Sequence, residues 1–107
     1  MKIYLSHPYG GKLENRIKAA RLARVYREIW DAEGKEDFEI VNPLEELRGL
    51  AGKKTEEEIL QEAIKLMKTC DAVFFAPGWQ ASNGCLKEHA AALLHMPMYH
   101  IPSGLVA

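Results

Sequence analysis

The chain has 107 residues, enough for one domain and too few for two independent cores. With 48% apolar and 27% charged residues, its composition excludes intrinsic disorder, collagen-like repeats and low complexity. Fourteen Lys plus Arg against fifteen Asp plus Glu leave a net charge of −1, so no overall pull toward nucleic acid or acidic lipid follows.

In chain order, Lys2-Ile3-Tyr4-Leu5 reads as a β-strand closed by the turn-rich His7-Pro8-Tyr9-Gly10-Gly11. A long helix is predicted from about Leu13 to Glu33, with Ala19, Leu22, Ala23, Tyr26, Ile29 and Trp30 as its apolar stripe and Gly34 as its stop. Phe38-Glu39-Ile40-Val41 is a second strand, ended by Asn42-Pro43. Leu44 to Lys54 reads as a helical turn or two followed by the loop Gly52-Lys53-Lys54. Thr55 and Glu58 form a capping box that opens a helix to about Thr69. Asp71 to Ala76 is a buried strand broken by Pro77-Gly78-Trp79. Gly84 to His95 is helical, Met98 to Ile101 is a fourth strand, and Pro102-Ser103-Gly104 follow.

Strands separated by helices predict a single α/β domain over residues 1–107, a Rossmann-like or flavodoxin-like three-layer sandwich. The expected sheet is mostly parallel, of about four strands, in the order 2-1-3-4. In that order a crevice opens at the carboxyl ends of strands 1 and 3, flanked by residues 6–11 and 77–84. Two cysteines, Cys70 and Cys85, make no secreted disulfide framework and read as small core hydrophobes. With no signal-like h-region after Met1-Lys2 and no apolar run long enough for a bilayer, a soluble cytoplasmic protein is expected.

Glycines at a strand-to-helix junction let backbone amides approach an anion, so Ser6 to Gly11 reads either as an anion-binding corner or as an ordinary βα turn. It matches neither G-x-G-x-x-G nor the Walker pattern. Ser82 is a candidate N-cap whose hydroxyl, with the amides of Asn83 and Gly84, can hold a phosphate. Trp79 either covers a base or sugar or is a partly buried hydrophobe. Glu88 has Gly84, Cys85, Ala91 and Ala92 as its helical neighbours, none of them a cation, so no surface ion pair within the helix explains it. A carboxylate so placed can attack an anomeric carbon or stabilise an oxocarbenium ion. Cys85 and His89 have metal-ligand spacing, but His95 and His100 do not continue that face, and neither a metal nor a cofactor is predicted. Arg16, Lys18, Arg21, Arg24 and Arg27 alternate with Glu14, Glu28, Asp31 and Glu33, a mixed solvated face rather than a nucleic-acid surface.

The segments K-I-Y-L-S-H-P-Y-G-G with Asn15, Val41-Asn42-Pro43, and C-D-A-V-F-F-A-P-G-W-Q-A-S-N-G-C-L-K-E-H-A-A-A together resemble the nucleoside 2-deoxyribosyltransferase-like superfamily. The likeness is strongest to a branch of small bacterial and phage proteins of unassigned function. It implies cleavage or exchange of the N-glycosidic bond, with Glu88 matching the family's nucleophile. Ser82 stands where deoxyribosyltransferases carry Asp, and the Ser82, Gly84, Glu88 spacing is similar to that of 2′-deoxynucleoside 5′-phosphate N-hydrolases. A neutral donor suits a phosphate there, because an Asp would repel it.

The reading expected from these residues is an N-glycosidase acting on a nucleoside 5′-monophosphate. Glu88 would be catalytic, and Ser6, His7, Tyr9, Gly10, Gly11, Asn15, Trp79, Ser82, Asn83 and Gly84 would hold substrate and phosphate. Tyr4 and His89 are further candidate contacts. One departure stands: catalytic members carry an Asp eight residues before the third strand's Asp, and counting back from Asp71 reaches Ala63. Glu62 is adjacent but points about 100° away on a helix; His7 or His89 is left to supply the acid. The alternative reading is a nucleotide-binding or sensing module without cleavage. A homo-oligomer is expected, because a four-stranded sheet leaves edges to cover and relatives complete their sites with a neighbour's residues.

Overall fold

The short apolar runs become strands and the runs of helical period become helices. A computed structural model, describing residues 1–102, places the strands at β1 (Lys2–Ser6), β2 (Glu39–Val41), β3 (Ala72–Phe75) and β4 (Met98–His100). The helices are α1 (Leu13–Ala32), α2 (Pro43–Glu46), α3 (Glu56–Lys68) and α4 (Asn83–Ala92), with short 3-10 turns at Arg48–Leu50 and Trp79–Ala81. Ser103 and Gly104 lie outside the described residues.

All strand pairs are parallel and the order is β2-β1-β3-β4, the α/β Rossmann-like arrangement expected from the sequence. Strand alternation divides the core into two faces. Ile3, Leu5, Ile40 and Ala72 pack with Ala19, Leu22, Ala23 and Trp30 of α1. Tyr4, Val41, Val73 and Phe75 pack on the other side, with Met67 of α3 and Ala92 of α4. Both cysteines are buried and free. No helix among the described residues is long and apolar enough to cross a membrane.

Most element ends fall within a residue of those expected, and two differences reach further. The Gly84–His95 helix starts at Asn83 and stops at Ala92, after which Leu93 and Leu94 turn outward. Ile29 sits about 100° around α1 from Trp30, at the edge of the stripe, and is exposed. Leu44–Lys54 forms, as expected, two short helical turns, α2 and Arg48–Leu50, followed by a loop in which Gly52 is left-handed.

The capping box is present. Glu58 N–H donates to Thr55 Oγ1 at 3.2 Å, and Thr55 N–H donates to Glu58 Oε1 at 3.0 Å. Thr55→Ala should therefore cost about 1 kcal/mol of stability, measurable as a lowered urea midpoint with an unchanged slope.

Candidate functional site

The strand order reverses between β1 and β3, and a crevice of about 870 Å³ opens there at the carboxyl ends of the strands. Its first corner is the loop after β1. Gly10 and Gly11 have φ of 57° and 73°, and Lys12 N–H donates back to Tyr9 O at 3.0 Å, closing a tight turn. Two consecutive left-handed residues favour glycine, which has no Cβ to strain there. Open space surrounds both Cα atoms where a side chain would begin, so the turn's backbone is reachable from outside. Asn15 Nδ2 donates to Tyr9 O at 3.0 Å and ties the turn to α1.

The second corner follows β3. Gly78 turns the chain at φ 87° into the Trp79–Ala81 turn, and Ser82 caps α4, its Oγ accepting from Cys85 N–H at 3.3 Å. The N–H groups of Asn83 and Gly84, in the first turn of α4, have no acceptor within the helix. Ser82, Asn83 and Gly84 all line the crevice.

Glu88 forms the floor between the corners. It is 6% exposed and lines the crevice. Tyr4 Oη donates to Glu88 Oε2, and Ser6 Oγ donates to Oε1 at 2.9 Å. No lysine or arginine pairs with it among the described residues. Burial raises its pKa above the ordinary carboxylate value, partly offset by the two hydroxyls. Burial, then the charge of Glu88, raises Tyr4 well above the usual phenol value, so the phenol keeps its proton.

Of the residues singled out from sequence, Tyr4, His7, Tyr9, Gly10, Gly11, Asn15, Ser82, Asn83, Gly84 and Glu88 meet in this one crevice. Three do not. Ser6 is 0% exposed and gives its hydroxyl to Glu88, so it cannot bind a phosphate. Trp79 stacks on His89 with ring centroids 4.5 Å apart and planes 11° from parallel. Phe75 and His100 complete that aromatic column, which lies outside the crevice lining, so neither Trp79 nor His89 faces a substrate there. The rotation is enforced by the helix: His89 is about 100° around α4 from Glu88.

His7 lines the crevice with Nδ1 2.7 Å from Pro8 O. A carbonyl only accepts, so Nδ1 carries the proton and Nε2 is the free acceptor. Burial lowers the His7 pKa, keeping the ring neutral near pH 7, where it has no spare proton to donate to a leaving base. Ala63 lines the crevice wall, whereas Glu62 pairs with Lys65 at 3.3 Å and does not.

Sequence reasoning missed the rest of the rim. Lys12, Lys54 and Lys87 line the crevice, as do the apolar Leu44, Leu47, Ile59 and Leu60. Lys12 was legible beside Gly10-Gly11; Lys54 and Lys87 meet there only because α3 and α4 pack together. Lys87 Nζ lies 3.2 Å from Glu57 Oε2, an ion pair that ties α4 to α3.

A family described as a domain of unknown function (DUF4406) matches residues 1–99. The chain belongs to that family. The match takes in both corners, Glu88 and all but the end of β4, so the site of this DUF4406 member lies wholly inside the shared domain. No curated protein and no solved structure matches the chain.

Proposed function

We propose that this protein cleaves the base–sugar bond of a nucleoside 5′-monophosphate, with Glu88 as nucleophile. The observation that carries the reading is a buried carboxylate without a cation, tethered by two hydroxyls, at the floor of a crevice with two anion-ready corners. Structural carboxylates are rarely buried unless paired with a cation, so the arrangement points to chemistry. The resemblance to nucleoside 2-deoxyribosyltransferase-like proteins supports the same role for Glu88.

In this reading the Gly10-Gly11 turn and the amides of Asn83 and Gly84 hold the phosphate, with Ser82 Oγ–H as a further donor. Lys12 and Lys54 supply positive charge around it. Leu44, Leu47, Ile59 and Leu60 offer an apolar wall for the base. A Glu88 oxygen attacks C1′, the C1′–N bond breaks, and its electron pair leaves with the base, which takes a proton from solvent. Water then attacks C1′ of the glycosyl ester and frees Glu88, or a second base does so and regenerates a nucleotide.

Purified protein incubated with ribo- and deoxyribonucleoside monophosphates should release free base. Release from none of these, nor from free nucleosides, would overturn the enzymatic reading. Ala63 in the crevice wall favours one rival, a nucleotide-binding module that does not cleave. Thermal stabilisation by a monophosphate without product would establish that rival. Glu57→Gln, by releasing Lys87 toward the phosphate, should tighten nucleotide binding severalfold at low salt, and the gain should vanish at high salt. A homo-oligomer is part of the proposal, supported by the open edge of β4 and by exposed Leu93, Leu94 and Tyr99; sedimentation as a strict monomer would remove it.

A further inference from the structure

Glutamate's last torsion is broad and roughly two-fold, so a carboxylate tethered through one oxygen still swivels. Glu88 is tethered through both, to Tyr4 at Oε2 and to Ser6 at Oε1. Cys85, one turn before Glu88 on α4, is buried and lines the same crevice. We propose that Ser6 is a positioning residue for the reaction described above: its hydroxyl, donating to Glu88 Oε1 while Tyr4 holds Oε2, fixes the plane of the nucleophile. The inference rests on that functional reading for its role and on the two hydrogen bonds for its geometry.

The surroundings favour this direction of donation. An ionised carboxylate only accepts, so the Ser6 proton points at Oε1, and burial pushes the neighbouring Cys85 thiol up, so it stays neutral. Around Glu88, β1 presents Tyr4 and Ser6, α4 presents Cys85, the loop after β1 presents His7, and α3 presents Ala63 and Leu60 with Glu56 and Glu57 farther along the crevice. No other hydroxyl or amide bonds to Oε1 among the described residues.

The test is Ser6→Ala, with two readouts: the titration of the Glu88 carboxyl carbon by NMR in the free protein, and the pH profile of kcat for base release. The Glu88 midpoint should rise by about one unit, and the acid limb of kcat should move with it while KM stays unchanged. An unmoved midpoint with kcat lowered equally at every pH would reduce Ser6 to packing and overturn the inference. If Ser6→Ala fails to fold, Ser6→Cys, of similar size and a weak donor, is titrated instead, and an unmoved midpoint there overturns the inference in the same way. If the wild-type protein releases no base, the functional proposal falls, and the titration in the free protein alone decides whether Ser6 governs Glu88.

Discussion

Replacing Glu88 by Gln is expected to abolish base release and, at alkaline pH, to make the protein harder to melt. The first effect follows from removing the nucleophile while keeping shape, a loss of about four orders of magnitude or more. The second follows from linkage. Burial raises the folded-state pKa of Glu88 above its unfolded value. Its contribution to stability is therefore fully present below the ordinary carboxylate range and is lost as pH rises through the raised folded value. Gln carries no charge to desolvate. The difference in Tm between variant and wild type should be close to zero below the ordinary carboxylate range, grow as pH rises through the raised folded value, and level off above it. Thermal melts across that range decide it: parallel curves would mean that ionised Glu88 costs the fold nothing. Such a trade of stability for function is common at active sites.

Tyr4→Phe is expected to cost about 1.5–3 kcal/mol at pH 8, the range for a hydrogen bond to a charged group. The ring itself is untouched, since Phe fills the same fully buried space. What disappears is the donor to Glu88 Oε2, so the ionised carboxylate is left with one hydroxyl in place of two. The cost should shrink as the carboxyl protonates, and it should nearly vanish when Tyr4→Phe is made on top of Glu88→Gln. A double-mutant cycle by urea unfolding measures that coupling. Additive costs at pH 8 would show that the phenol contributes only its ring. In the turnover assay Tyr4→Phe should lower kcat with its acid limb displaced upward in pH, because one of the donors stabilising the charged form is gone.

The layout of the sheet was legible because short apolar runs alternate with helical ones and because Gly and Pro punctuate each junction. Right-handed crossovers then leave few strand orders open, and the order found is the one expected. Glu88 was legible as an acid without a cation at helical spacing. The assignments that failed did so over orientation. Tyr4 and Ser6 are two apart on one strand and must share a face, so the serine follows the tyrosine to Glu88 rather than turning with the loop. His89, next to Glu88, cannot enter the same crevice on a 3.6-residue helix. Both signals were present in the spacing. The meeting of Lys54 and Lys87 was not, since it depends on how α3 and α4 seat against each other, which no local pattern encodes.

The bonds from Tyr4 and Ser6 to Glu88 join residues 84 and 82 positions apart. A ribosome that has delivered the chain through β3 has made most of the sheet but no floor for a ligand. Competence arrives in a single late event, the docking of a ten-residue helix. The same helix buries Cys85, Glu88 and Ala92, so the docking that closes the ligand's floor also covers one face of the sheet, and site and core are completed together.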